Sequence, residues 1–144
     1  GCVSVWSGAG DGVCFFGELI ALGMKTRGCA GALVDGGIRD IEWIARQGFP
    51  VYACYRTPVQ SIGRWKVTAC QVPAYLPGAT KQHVIVNPGD FVLGDADGVI
   101  VVPADAAEKV LNEAERLTAT EVKIRAELDA GATLEQVLAK YGHV

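Results

Sequence analysis

Histidine is scarce in this chain: two occur in 144 residues, His83 and His143. His83 alternates with apolar residues and reads as a partly exposed strand residue, and His143 stands at the end, so Ser-His-Asp or Cys-His catalysis has little material. The five cysteines, Cys2, Cys14, Cys29, Cys54 and Cys70, form no C-x2-C pair and are odd in number. That argues against a zinc site or a disulfide framework and for reduced thiols in a cytoplasmic protein, with core packing as their role. Charge of one sign is also lacking. Thirteen Lys and Arg against sixteen Asp and Glu give a net charge of −3, scattered along the chain, with no basic stripe for nucleic acid. No apolar run reaches about 18 residues, so no membrane span is expected, and no signal peptide is recognisable. The few lysines lie in polar settings, unlike a Schiff-base lysine activated in a desolvated pocket.

Half of the residues are apolar, enough for one respectable core and most simply a single domain over 1–144. Cys2 to Trp6 reads as a first strand running into the Gly-rich loop Ser7–Gly12. That loop lacks the Gly-Lys-Ser/Thr ending of a P-loop. As a dinucleotide fingerprint it offers Gly8-x-Gly10 and Asp35 for a ribose, but Val13 takes the third glycine position. A helix is expected over about Cys14 to Thr26, burying Phe15, Leu19, Leu22 and Met24. A strand follows at Ala30 to Val34, then a helix from about Ile38 to Gln47 with Ile41 and Ile44 inward, then a β-rich PVYACY run. The loop Arg56 to Lys66 is either a cover over an acidic substrate or a solvated loop anchored by Trp65. Val67 to Val102 reads as strand and turn, with a hairpin signal at Asp97-Gly98; Asp95 and Asp97 suit that turn better than a calcium site. A helix from about Ala104 to Ala130, striped by Val110, Leu111 and Leu117, and a short one at Leu134 to Tyr141 close the chain. Alternating strands and helices followed by an all-strand run indicate a mixed α/β layered fold.

Chemistry concentrates between Gly17 and Asp40. Glu18 lies just inside a helix start, Gly17-Glu18-Leu19-Ile20, where unpaired N–H groups and the helix dipole favour an anion. The strand ending in Asp35-Gly36-Gly37 presents Arg39 and Asp40 at the sheet's carboxyl edge, where open α/β sheets keep ligands. Arg39 offers a planar fork for a carboxylate, and Asp40 hard oxygens for a divalent cation. A helix N-cap Asp beside a surface Arg would be the plainer account of that pair.

Glu18, Arg39 and Asp40 form an E-x20-R-D pattern that resembles the D-x20-R-D signature of the RraA-like family, whose enzymes are class II aldolases cleaving 4-hydroxy-4-methyl-2-oxoglutarate and 4-carboxy-4-hydroxy-2-oxoadipate. GEL, VDGGIRD, GFPVYA, VNPGD and GDADGVIVVP occur in the family's order over nearly the whole chain. Glu18 stands where the signature has Asp. The resemblance implies a swivelling β/β/α-type domain with a mixed sheet, assembled as a homotrimer or hexamer with the site near a subunit interface. It implies Mg²⁺ or Mn²⁺ on Asp40, with Glu18 reached through waters, and a 2-oxo acid whose carboxylate is held by Arg39 and the N–H groups of Leu19 and Ile20. Pyruvate would leave as an enolate, oxaloacetate would be decarboxylated by the same route, and a water held by the acidic residues would carry the proton. A glutamate of a neighbouring subunit supports the water shell in the aldolases; the match falls on Glu121 and less well on Glu115, against the simpler account of helix-face carboxylates. Other members regulate ribonuclease E by binding it. An older family label, demethylmenaquinone methyltransferase, finds no methyl-donor site here. Members usually begin with a largely helical segment, so this chain, which opens on a strand without Met, is expected to be a fragment, a processed form or one lacking its start.

Overall fold

The computed structural model describes residues 1–8, 10 and 12–142. Two compact units make up the chain, Gly1–Pro103 and Ala104–Val144. In the first, β1 (Cys2–Trp6), β2 (Cys14–Phe16), α1 (Glu18–Lys25), β3 (Cys29–Ile38), α2 (Ile41–Arg46) and β4 (Val51–Arg56) are followed by the short strands β5 (Ala74–Pro77), β6 (His83–Val86), β7 (Phe91–Gly94) and β8 (Val99–Val102).

Strand β3 is the centre of a parallel sheet. Its residues from Ala32 to Ile38 pair with β4, while Cys29 to Val34 pair with β1 and Gly37 to Ile38 with β2, so β1 and β2 lie end to end along its other edge. Flanked on both edges, β3 is buried from Gly31 to Ile38, as expected of a parallel strand inside an α/β sheet. Ala32, Val34 and Ile38 join Phe15, Phe16, Ala21 of α1, Ile44 of α2 and Phe49 in one apolar cluster. The remaining strands form two antiparallel hairpins, β5–β6 and β7–β8. Asp95 N–H donates to Gly98 O at 2.9 Å and Asp97 N–H to Asp95 Oδ1 at 2.9 Å, so both acids serve the turn. The expected mixed α/β class is therefore what the chain adopts.

Several boundaries differ from expectation. Cys14 to Phe16 form a strand, because Val13 to Phe16 are all buried and pair with the end of β3; the helix begins only at Glu18. Its inward residues are consequently Ala21, Ile20 and Met24, whereas Leu19 is 78% exposed and Leu22 lies outward. The glycines after Val34 do not end the strand. β3 carries a bulge between Val34 and Gly37 and continues to Ile38, since β2 and β4 supply partners there. Ile38 therefore belongs to the sheet, and α2 starts at Ile41 after Asp40, whose φ of 59° is left-handed. Ile44 is buried and Ile41 is not. Val67 to Val72 form no strand. Of the cysteines, Cys14 and Cys29 are buried while Cys2, Cys54 and Cys70 are exposed, and all five are free thiols. Trp65 does anchor its loop, edge-on to Trp6 at 6.0 Å and to Phe15 at 5.2 Å. His83 is an exposed strand residue.

The second unit has a 3-10 turn at Ala104–Ala106, α3 (Ala107–Asp129) and α4 (Leu134–Tyr141). Its buried residues are Ile124 and Val137, one on each helix, whereas Val110 and Leu111 of the expected stripe are exposed. Thr133 starts α4 with a reciprocal capping box to Gln136, which satisfies two N–H groups that would otherwise lack partners. No helix among the described residues is long and apolar enough to cross a membrane.

Candidate active site

The sheet brings the two ends of the E-x20-R-D pattern together. β2 ends at Phe16 beside the end of β3, and Phe16 O accepts from Arg39 N–H at 3.1 Å. One residue further along each chain, Gly17 opens α1 and Asp40 opens α2. Asp40 occupies the N-cap position of α2, yet its side chain makes no cap bond there. It turns instead to α1, where Oδ2 accepts from Glu18 N–H at 3.2 Å and lies 3.4 Å from Arg39 Nε. Gly17, the N-cap of α1, has no side chain to offer, and Asp40 supplies an acceptor for the first of the unpaired N–H groups at the helix start. The contact explains the glycine: a β-carbon at position 17 would stand 2.9 Å from Asp40 Oδ2 and 3.2 Å from Arg39 Nε.

The first backbone bond of α1 runs from Ala21 N–H to Gly17 O at 3.1 Å. The N–H groups of Leu19 and Ile20 therefore precede the helical ladder, as the first amides of any helix do. Arg39 and Asp40 are 43% and 41% exposed, so their attraction is screened by water and contributes little to stability; both remain accessible to a ligand. Gln47, just past α2, donates from Nε2 to Glu18 Oε1 at 2.8 Å. Gly17, Glu18, Leu19, Ile20, Arg39 and Asp40 thus form one patch at the head of α1. Sequence reasoning missed Gln47, since a polar residue before a helix-ending Gly carries no signal of its own.

Glu121 and Glu115 both lie on α3 in the second unit and are exposed. Arg125 Nη2 donates to Glu121 Oε2 at 2.6 Å, a helical i,i+4 pair. Asp35, the ribose ligand of the dinucleotide reading, is buried, with Cys54 Sγ 3.6 Å from its Oδ1. Partial desolvation of the Cys54 sulfur pushes its thiol up, and the Asp35 charge adds to it. Of the Gly-rich loop, Ala9 and Asp11 lie outside the described residues, as does His143. Gly10 packs under the Phe15 ring, which a β-carbon there would overlap, so this glycine serves packing.

Among the described residues, no three His, Cys, Asp or Glu side chains converge as a ready-made metal cage. Mg²⁺ does not require one, because it keeps several waters and commonly takes one or two carboxylates plus substrate oxygens. An accessible Asp40 beside Glu18 fits that hydrated mode and would not suit zinc.

The model of the RraA-like family, described as Aldolase/RraA, matches residues 1–101. The chain belongs to the RraA-like family. Among curated relatives, one from Halalkalibacterium halodurans bearing the name "Putative 4-hydroxy-4-methyl-2-oxoglutarate aldolase" is 37% identical over 124 residues, covering 85% of this chain and 56% of the relative. Among solved structures, an uncharacterized protein from Pseudomonas syringae pv. tomato is 29% identical with a TM-score of 0.85, over 94% of this chain and 66% of that one. Streptomyces coelicolor RraAS2, described as an unusual member of the RNase ES inhibitor RraA protein family, is 27% identical with a TM-score of 0.73, over 87% and 62%. These likenesses bear out the swivelling β/β/α fold of the RraA-like family. This RraA-like chain spans 56% of the length of two curated relatives it matches and 20% of a third.

Proposed function

We propose that this RraA-like chain is a divalent-metal-dependent carbon–carbon lyase, a class II pyruvate aldolase that cleaves a 4-hydroxy-2-oxo acid to pyruvate and also decarboxylates oxaloacetate. The observation that carries the reading is the meeting of Arg39, Asp40 and Glu18 at the open head of α1. Asp40 would hold Mg²⁺ or Mn²⁺, with Glu18 reached through water and Glu121 contributed by a second subunit of a homotrimer or hexamer. When bound, the cation supplies Lewis-acid stabilisation of negative charge on the keto oxygen.

Arg39 would present its fork to the substrate carboxylate, with the Leu19 and Ile20 N–H groups as further donors. Held there, the substrate loses its C3–C4 bond as a water oriented by Glu18 takes the proton of the C4 hydroxyl, and the same water then returns a proton to C3 of the resulting pyruvate enolate. Cleavage of 4-hydroxy-4-methyl-2-oxoglutarate in this way gives two pyruvates; oxaloacetate loses carbon dioxide and gives one. No lysine or histidine stands among the residues of the patch, which suits proton transfer through water. The reading places the protein in the cytoplasm, which five free thiols suit.

The likeness to RraAS2 favours one other reading, a non-catalytic regulator of ribonuclease activity acting by protein binding. Pyruvate release from oxaloacetate and from 4-hydroxy-4-methyl-2-oxoglutarate, with Mg²⁺ and then with excess EDTA, separates the two. EDTA-sensitive release that disappears in Asp40→Ala supports the lyase. Silence on both substrates together with absence of metal binding favours the regulator.

A further inference from the structure

Gln47 has an unusual set of contacts for a residue that ends a six-residue helix. Its carbonyl oxygen accepts from Lys25 Nζ in the last turn of α1, and its side-chain amide reaches Glu18 in the first turn, with Nε2 2.8 Å from Oε1. Gln47 is therefore laid along α1 and tied to it at both ends. Its own Oε1 is buried and has no partner among the described residues. An unpaired buried acceptor is a cost that an apolar side chain would avoid. Reversing the amide would bring its oxygen against Glu18 Oε1, acceptor to acceptor, so the contact with Glu18 fixes the orientation seen. A neutral donor also fixes a carboxylate without cancelling its charge, as Lys or Arg would.

We propose that Gln47 is a positioning residue for Glu18: it holds one carboxylate oxygen so that the other faces the cation's water shell. The inference rests on the metal-dependent reading above. It also accounts for Glu at a position where the family signature has Asp. The longer side chain gains a partner that holds it back, and an Asp at position 18, one methylene shorter, would not reach the Gln47 amide.

Mn²⁺ binding measured by electron paramagnetic resonance on the whole chain tests this without relying on turnover. Gln47→Met, close in shape but without the donor, is expected to weaken Mn²⁺ binding about tenfold, the lower end for partners that orient metal ligands. Gln47→Asn, whose amide is too short, gives the same loss. In a Glu18→Asp background, Gln47→Met has no further effect, so the double-mutant cycle is non-additive. Unchanged Mn²⁺ affinity in Gln47→Met, or an equal loss in both backgrounds, overturns the assignment even if thermal stability falls. If the unsubstituted protein binds Mn²⁺ through Asp40 yet releases no pyruvate, the lyase reading fails, and Gln47 is still judged by the binding cycle. Absence of Mn²⁺ binding overturns both.

Discussion

Asp40 has two roles open to one carboxylate. In the structure it caps α1 through Glu18 N–H; in the proposed reaction it ligates a cation. Asp40→Ala is therefore expected to abolish EDTA-sensitive pyruvate release and, separately, to cost about 1 kcal/mol for the lost helix cap. Unchanged turnover, with the cap loss visible in denaturant unfolding, would leave Asp40 a capping residue alone. Arg39→Lys keeps the charge but removes the fork, so it should raise KM with little change in kcat; an unaltered KM in steady-state kinetics counts against the carboxylate clamp. Gly17→Ala tests the close approach by a different route. The backbone at Gly17 is extended, with φ of −139°, so alanine is conformationally acceptable there. Its β-carbon would nevertheless displace Asp40 and Arg39, and kcat/KM should fall at least tenfold while the melting temperature moves by only a few degrees. Full activity in Gly17→Ala would show that the observed contact is not the productive one.

At the scale of elements, α3 and α4 are held by a charged contact as well as by Ile124 and Val137. Glu127 Oε1 accepts from Lys140 Nζ at 2.5 Å and from Tyr141 OH at 2.7 Å. The Lys140 hydrogen bond, followed by that of Tyr141, holds the Glu127 carboxyl below its ordinary range. A carboxyl depressed in the folded state stabilises above its unfolded pKa and loses that contribution as pH falls through the folded value. Thermal unfolding should therefore show the gap between the native protein and Glu127→Gln present near neutrality and closing below about pH 4, where an unfolded Glu titrates. A gap independent of pH would assign the effect to packing. The same element-level view explains the site: β2 and α1 are joined at Gly17, β3 and α2 at Arg39-Asp40, and the pairing of β2 with the end of β3 brings the two junctions together. The bulge between Val34 and Gly37 adjusts that end of the strand, a device often found beside active sites.

For the whole molecule, the proposal requires an oligomer, with Glu121 to be supplied by a second copy. Asp40→Ala and Glu121→Ala should each be impaired, and mixing the two after mild dissociation should restore part of the activity, because some mixed interfaces then carry an intact Asp40 and an intact Glu121. An inactive mixture whose subunits demonstrably exchange would confine the site to one chain and leave Glu121 as the helix-face partner of Arg125. The likeness to both an aldolase-named relative and an RNase inhibitor family member fits a fold that hosts more than one function.

The sequence by itself determined the α/β class, the span of α4, the Asp95–Gly98 turn and the grouping of Glu18, Arg39 and Asp40, because local chemistry acts at each: a capping box, an Asp-Gly turn, and a spaced motif shared with a family. Tertiary structure decided the rest. The run Val13 to Phe16 is apolar in either conformation, and only the free edge of β3 made it a strand; α1 consequently began later and buried Ala21 instead of Leu19. The direction of the Asp40 carboxylate also depended on space left empty by Gly17, twenty-three positions away in sequence. The Gln47–Glu18 contact joins residues twenty-nine apart, and no local pattern encodes it, since a hydrogen bond between two helices exists only once the sheet has set them side by side.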